Sequence, residues 1–176
     1  MADGLPRAGR SPKYAGYFLL RGYTVFAVVH GSHPKVMIPE IIPDLYRAVR
    51  FIRYHAKDHG VDPQRLGVTG ASSGGHLALM LATGGGRGKP DAPDPVDRES
   101  SAVQAVGCLF PPTDFLNYVR PGLNAMDQSV LKNFAKFIGP TPSDPGERDA
   151  LGRRISPIYS VSNHMAPALI IHGEKD

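Results

Sequence analysis

The sequence predicts an α/β fold, in which a mostly parallel sheet carries helices on both faces. Short β-prone runs alternate with longer segments of helical periodicity, and parallel strands need such crossover helices. Glycine and proline are plentiful, 20 and 17 of the 176 residues, which fits a chain with many strand-to-helix turns. With 41% apolar and 20% charged residues, the composition is typical of one globular domain with a hydrophobic core.

Four runs of the chain are predicted as strands. The first, 24–29, reads Thr-Val-Phe-Ala-Val-Val and is typical of a strand buried on both faces. The others cover 66–69, 103–110 and 168–172. In open parallel sheets the chemistry gathers beyond the carboxyl ends of the strands, so we expect a functional site after these runs.

The clearest helical pattern covers 43–59, with Pro43 in its first turn and Gly60 at its C-terminal end. Its apolar residues recur at helical spacing: Leu45, Ala48, Val49, Ile52 and Ala56. Basic residues fall mainly on the opposite side: Arg47, Arg50, Arg53 and Lys57. Without interleaved aromatic residues, this side predicts a solvated face and no nucleic-acid partner. Helices are also predicted over 13–21, 73–83 and 125–138, with a short one in the Pro-rich stretch 139–157.

A tight turn carrying a serine is predicted between the strand at 66–69 and the helix at 73–83. Gly70-Ala71-Ser72-Ser73-Gly74 matches the pattern G-x-S-x-G in that strand-turn-helix setting. The turn predicts a strained backbone at Ser72, with side chains excluded at Gly70 and Gly74. Gly75 lets the helix pack closely on the sheet. Ser72 would be the nucleophile, and the N–H of Ser73 at the helix start would stabilise an oxyanion.

Several classes of protein are disfavoured by the composition. No apolar run reaches the roughly 18 residues of a membrane span. The single cysteine, Cys108, allows no disulfide framework and is predicted to be a buried structural thiol. Residues 1–10 lack the apolar core of a signal peptide, so the default expectation is a cytoplasmic location. His55 and His59 have metal-ligand spacing, but Ala56 stands where a zinc peptidase has glutamate, so we expect no metal site.

A short-chain dehydrogenase is an alternative interpretation, because Thr69 to Gly74 also resembles a T-G-x-x-x-G-x-G nucleotide loop. Three observations disfavour it. His76 stands where the last glycine should be, and a strand and a long helix precede the loop. In addition, no tyrosine in the chain has a lysine four residues later.

Several segments together resemble the hormone-sensitive-lipase-like and feruloyl-esterase-like carboxylesterases of the α/β-hydrolase superfamily. Four precede or contain the serine turn: Arg21–Val25, Asp44–Arg53, Gly60–Val68 and Gly70–Ala78. The last, Pro167–Asp176, is similar to the acid-bearing strand end of those enzymes. The resemblance covers nearly the whole chain from Tyr14 and implies an α/β-hydrolase fold.

The resemblance also implies roles for residues around the serine. The triad acid would be Asp176, four residues after His172, which has no catalytic task; Glu174 is a weaker candidate. The triad order Ser, Asp, His places the catalytic histidine after Asp176. The family's second oxyanion loop, an H-G-G motif, also has no counterpart. Residues 1–176 are therefore expected to form a partial α/β-hydrolase domain, without the strands that bear the oxyanion loop and the histidine.

Other polar residues receive structural interpretations. Asp114, after the third predicted strand, is expected to cap a helix and not to act as the triad acid. His30 and His33 resemble the oxyanion motif but follow the wrong strand, so we expect an ordinary loop. His76, one turn after the nucleophile, is expected to face neighbouring loops.

The implied function is hydrolysis of a small-molecule carboxylic ester through an acyl-enzyme on Ser72, without cofactor or metal. Little or no turnover is expected from the chain as written, because the triad base is not in it. A prolyl-oligopeptidase-type peptidase and a non-catalytic hydrolase-like binding module remain alternatives. The sequence leaves the oligomeric state open.

Overall fold

The computed structural model describes residues 12–31, 35–118, 120–127, 138 and 142–174. The chain forms two compact units, Met1–His30 and Gly31–Asp176. In the described part of the first unit, helix α1 spans Pro12–Leu19 and ends in a turn. The rings of Phe18 and Tyr23 then meet edge to face, 5.9 Å apart.

The prediction of a strand at 24–29 is wrong, because these residues have no regular secondary structure. Their apolar side chains are partly in water, with Val28 and Val29 exposed to 45% and 71%. A strand exists only where a neighbouring strand accepts and donates its backbone hydrogen bonds. A β-prone run therefore remains irregular when no partner strand lies beside it.

Helix α2 spans Ile38–Tyr54, so it begins and ends about five residues before the predicted bounds. Glu40 explains the earlier start, because its carboxylate accepts a hydrogen bond from the N–H of Met37 at 2.8 Å. Pro43 consequently lies inside the helix and not in its first turn. The segment after Tyr54 is a series of turns, in which Gly60 has the left-handed φ of +63°.

A three-stranded parallel sheet forms in the second unit, in the order β1-β2-β3. Strand β1 spans Gly67–Ala71, β2 spans Ala105–Leu109 and β3 spans Ala168–Ile171. The predicted strands at 66–69, 103–110 and 168–172 are confirmed with small shifts. Ala71 lies opposite Leu109, and Leu109 lies opposite Ile171. The carboxyl ends of all three strands are therefore aligned at one edge.

Helix α3, Ser73–Gly84, packs on β1 and β2 and is the most buried helix of the described chain. Its residues from Gly75 to Ala82 are all buried, against Val106 and Cys108 of β2 and the apolar side of α2. The α/β fold class is thus confirmed, with α3 as the helix that makes the main contacts with the described strands. Helical cover of the second face stays a prediction.

Two of the loops end in single turns of 3-10 helix, Pro95–Arg98 and Pro157–Ser160. Helix α4, Pro145–Ile155, is the short helix predicted in the Pro-rich stretch. The carboxylate of Asp144 caps it by accepting a hydrogen bond from the N–H of Glu147 at 2.9 Å. The helix predicted over 125–138 lies mostly outside the described residues.

The basic side of α2 is only partly solvated, because Arg53 is buried with 7% of its surface exposed. Its guanidinium donates to three backbone carbonyls, those of Pro63 (3.0 Å), Ala102 (2.7 Å) and Ser100. Arg53 thus ties α2 to the loop before β1 and to the segment before β2. The prediction of a solvated residue here is wrong, because guanidinium donors can satisfy several carbonyls at once.

Burial of Cys108 is confirmed, since only 2% of its surface is exposed, and the burial raises the pKa of its thiol. Within the described residues, no helix combines the length and the apolar character that crossing a bilayer requires.

Candidate functional site

Ser72 occupies a single-residue turn between the last residue of β1 and the first residue of α3. Its backbone has φ +53° and ψ −123°, a conformation that L-residues rarely adopt. The N–H of Ser72 donates to the carbonyl of Leu109 on β2 at 2.9 Å, and its carbonyl accepts from the N–H of His76 at 3.0 Å. These bonds hold the turn from both sides. The positive φ of Ser72 is the strained backbone that the serine motif predicts.

The glycines of the turn differ in the space that surrounds them. A Cβ on Gly70 would lie 2.3 Å from the carbonyl oxygen of Gly74, so no side chain fits there. A Cβ on Gly75 would lie 3.1 Å from Pro111 and 3.2 Å from the carbonyl of Leu109, which confirms close packing of α3 on the sheet. A Cβ on Gly74 would meet nothing within 4 Å. The predicted clash at Gly74 is therefore wrong, because that position points to open space.

The side chains of Ser72 and Ser73 are both exposed at the start of α3. As the first residue of the helix, Ser73 has an N–H without an acceptor inside the helix, and the helix dipole adds positive potential there. In the part of the chain that the structure describes, the Ser72 hydroxyl makes no side-chain hydrogen bond. The turn can thus present a hydroxyl and a backbone N–H to the same small molecule.

His76 is buried under the serine turn, with 2% of its surface exposed. Its Nε2 lies 2.6 Å from the carbonyl of Ile155 at the end of α4, and its ring meets Phe115 edge to face at 5.1 Å. Burial lowers the pKa of His76, against the opposing effect of the hydrogen bond to Ile155. The hydrogen bond to Ile155 thus anchors α3 to the end of α4.

Asp114 caps the turn that follows β2, as a structural role predicts. Its carboxylate accepts hydrogen bonds from the N–H groups of Leu116 (2.9 Å) and Asn117 (3.2 Å), the Asn117 amide (2.8 Å) and the Tyr159 hydroxyl (3.0 Å). Desolvation acts to raise the pKa of Asp114, but these donors hold it below its ordinary value. Its oxygens are already engaged, although the capped segment is a turn and not the predicted helix.

The predicted triad acid, Asp176, lies outside the described residues, as does His33. His172 and Glu174 follow β3, at the same sheet edge as Ser72. Neighbouring strands lie about 4.8 Å apart, so the end of β3 is about 10 Å from the end of β1. The sheet thus places the described residues that follow β3 two strands from the serine turn, on the side of β2.

His55, predicted as a surface residue, pairs with Asp58 at 2.9 Å and contacts the ring of Phe51. Among the described residues, no group of three or more histidine, cysteine, aspartate or glutamate side chains could hold a metal ion.

Phe110 is a residue of this edge that the sequence did not single out. It follows β2 directly and has a φ of +38°. Among the described residues other than glycine, only Ser72 and Phe110 have positive φ. A Phe-Pro-Pro run gives no recognisable signal for such a conformation, since the residue before a proline is normally extended.

Comparison with protein families matches residues 7–176 to the BD-FAE family model. The chain is 27% identical over 158 residues to esterase LipQ of Mycobacterium tuberculosis, covering 88% of this chain and 35% of that protein. It is 30% identical over 162 residues to ethyl acetate hydrolase of Pseudomonas putida, covering 88% of this chain and 46% of the relative. The chain thus spans between a third and a half of the length of these relatives.

Among solved structures, the chain is similar to a truncated form of a carbohydrate esterase from gut microbiota. The TM-score is 0.65 with 32% identity, over 84% of this chain and 54% of the other. The sequence and structural similarities therefore agree on esterases. Neither favours a nucleotide-binding dehydrogenase.

Proposed function

The chain belongs to the BD-FAE family, within the α/β-hydrolase carboxylesterases, and from that premise we propose that it hydrolyses carboxylic esters with Ser72 as the nucleophile. The observation that carries the proposal is the strained, exposed Ser72 between β1 and α3. Backbone strain at an exposed polar residue marks functional sites, because ordinary turns use glycine there. The reaction class, ester hydrolysis, follows from the similarity to esterase LipQ and ethyl acetate hydrolase.

The chemistry would proceed in two steps. The Ser72 oxygen attacks the ester carbonyl carbon while a general base takes the hydroxyl proton. The N–H of Ser73 stabilises the oxyanion, and the alcohol leaves with a proton as the acyl-serine forms. Water then attacks the acyl carbon, which releases the carboxylic acid and restores the serine. By family resemblance, a histidine oriented by Asp176 would be the base.

Hydrolysis of p-nitrophenyl acetate tests this proposal, and the short acyl group is chosen because one relative is an ethyl acetate hydrolase. Rates are compared for the wild type and Ser72→Ala, with and without added imidazole as an external base. Because the described residues offer the Ser72 hydroxyl no histidine partner, we expect imidazole to increase the Ser72-dependent rate. Ser72→Ala should show only the background rate, which includes hydrolysis of the ester by imidazole itself.

A matched control is Ser73→Ala, which keeps the backbone N–H that the proposed mechanism uses. It should retain most of the Ser72-dependent rate, and mass spectrometry should find the acetyl group on Ser72. Equal rates for the wild type and Ser72→Ala, with or without imidazole, would refute the assignment of Ser72 as nucleophile.

A further inference from the structure

Phe110 lies beside the serine turn, at the aligned edge of the sheet. Leu109 pairs with Ala71, so the residues that follow, Phe110 and Ser72, leave neighbouring strands at the same level. The Leu109 carbonyl, which belongs to the peptide group joining Leu109 to Phe110, accepts the N–H of Ser72 at 2.9 Å. One hydrogen bond therefore joins Ser72 to the peptide group that precedes Phe110.

The conformation of Phe110 is held from several directions. Its N–H donates to the carbonyl of Ile171 on β3 at 2.7 Å. Pro111 follows it and lies against Gly75, where an added Cβ would be 3.1 Å from the proline ring. A bulky residue with positive φ has a conformational cost, and a proline that follows it increases this cost. Glycine would remove this cost, so the phenyl ring needs an explanation of its own.

Core packing does not supply that explanation. Phe110 is exposed to 43%, whereas the nearby Phe115 is 1% exposed and belongs to the core. More than half of the Phe110 surface is covered, but the side chain is not enclosed as that of Phe115 is. It does add apolar surface at the strand end next to the one that carries Ser72.

We propose that Phe110 is a specificity-determining residue, whose ring packs against the apolar group next to the scissile carbonyl of the ester. This inference rests on the proposed esterase function and adds its substrate preference. The end of β1 would supply the nucleophile, and the neighbouring end of β2 would supply an apolar contact. Esters with larger acyl or alcohol groups would then be favoured over ethyl acetate-sized ones.

Binding of amide isosteres tests the proposal without requiring turnover. N-phenylacetamide, N-phenylbutyramide and N-butylacetamide are titrated by ligand-observed NMR into the wild type, Phe110→Tyr, Phe110→Ala and Phe110→Gly. The butyramide reports the acyl side, and the two acetamides report the alcohol side. Phe51→Ala is the matched control, because Phe51 is an equally exposed phenylalanine on α2 (50%).

We expect Phe110→Ala and Phe110→Gly to weaken binding of the preferred isostere roughly tenfold, with Phe110→Tyr and Phe51→Ala close to the wild type. Phe110→Gly should also unfold at a higher urea concentration than Phe110→Ala, because it relieves the positive φ. The two variants would then differ in stability while binding is weakened equally, which loss of folding cannot produce.

The proposal is overturned if the wild type binds none of the isosteres at millimolar concentration, or if Phe110→Ala binds all of them unchanged. An equal loss in Phe51→Ala would also overturn it. If Phe110 controls binding while Ser72→Ala leaves hydrolysis unchanged, the esterase proposal fails and the recognition site stands. If hydrolysis depends on Ser72 but binding is unchanged in the Phe110 variants, the esterase proposal stands and the proposed role of Phe110 fails.

Discussion

Single residues around Ser72 show how a short motif is enforced by atoms that the motif does not mention. Gly70 is required because the backbone of Gly74 and Gly75 fills the space beside it. Gly74 has no such neighbour, so its glycine is not explained by folding. The motif predicted the strain at Ser72, but the sequence could not show which glycine faces backbone and which faces solvent. That distinction depends on how α3 leaves the sheet.

Replacing each glycine by alanine should separate these two cases. Gly70→Ala should lower the free energy of unfolding by about 1–3 kcal/mol or more, because its Cβ meets rigid backbone. Gly74→Ala should be neutral or raise it by about 0.5–1 kcal/mol, because alanine is the better helix residue. Urea unfolding followed by circular dichroism measures both. A loss for Gly74→Ala as large as that for Gly70→Ala would contradict the packing described for this turn.

The elements are held together by buried polar groups that look ordinary in the sequence. Arg53 was placed on a solvated face by helical periodicity, yet it satisfies three carbonyls outside its helix. His76 connects α3 to the end of α4 in the same way. Periodicity assigns side chains to sides of a helix, but it cannot identify a polar side that another segment covers. The sequence pattern therefore did not predict the burial of these two residues.

Because burial lowers the pKa of His76, stability should fall as the pH drops. Below about pH 6.5 the unfolded chain binds a proton at this histidine that the folded protein resists. The stabilisation that His76 contributes is thus complete above the pKa of this histidine in the unfolded chain. Below that pKa, the free energy of unfolding decreases by at most about 1.4 kcal/mol per pH unit.

Urea unfolding at pH 7.5 and 5.5 measures this effect. His76→Gln, whose amide can still donate to Ile155, should lose less stability between the two pH values than the wild type. His164→Gln, at an exposed histidine, serves as the control and should keep the wild-type dependence. An unchanged pH dependence in His76→Gln would contradict the role of the buried ring.

At the scale of the whole molecule, the sheet order decides how the candidate site is assembled. Strand β2 lies between β1 and β3 and pairs with both. Hydrogen bonds at the starts of the strands continue this pattern: the N–H of Gln104 donates to Leu66 (2.8 Å) and that of Val106 to Pro167 (3.0 Å). Strand β3 is exposed along its length, with Leu169 and Ile171 at 64% and 54%. Proteins usually cover an exposed apolar strand at the outer side of a sheet.

Hydrogen exchange should reflect this order. Peptides that cover 104–110 should exchange roughly tenfold or more slowly than peptides that cover 167–172, because within the described sheet β2 is paired on both sides and β3 on one. Mass spectrometry after deuterium labelling measures the two rates in one experiment. Equal protection of β3 would mean that another strand or chain covers its outer edge in solution.

The sequence by itself determined the fold class, the three paired strands and the position of the serine turn, because each depends on local periodicity and on glycines close in the chain. Tertiary structure decided that 24–29 is irregular, that Arg53 and His76 are buried, and that Phe110 shares the strain of Ser72. These features depend on which segments lie beside one another. The lack of pairing at 24–29, the burial of these two polar residues and the positive φ of Phe110 arise from neighbours distant in sequence, which no local pattern identifies.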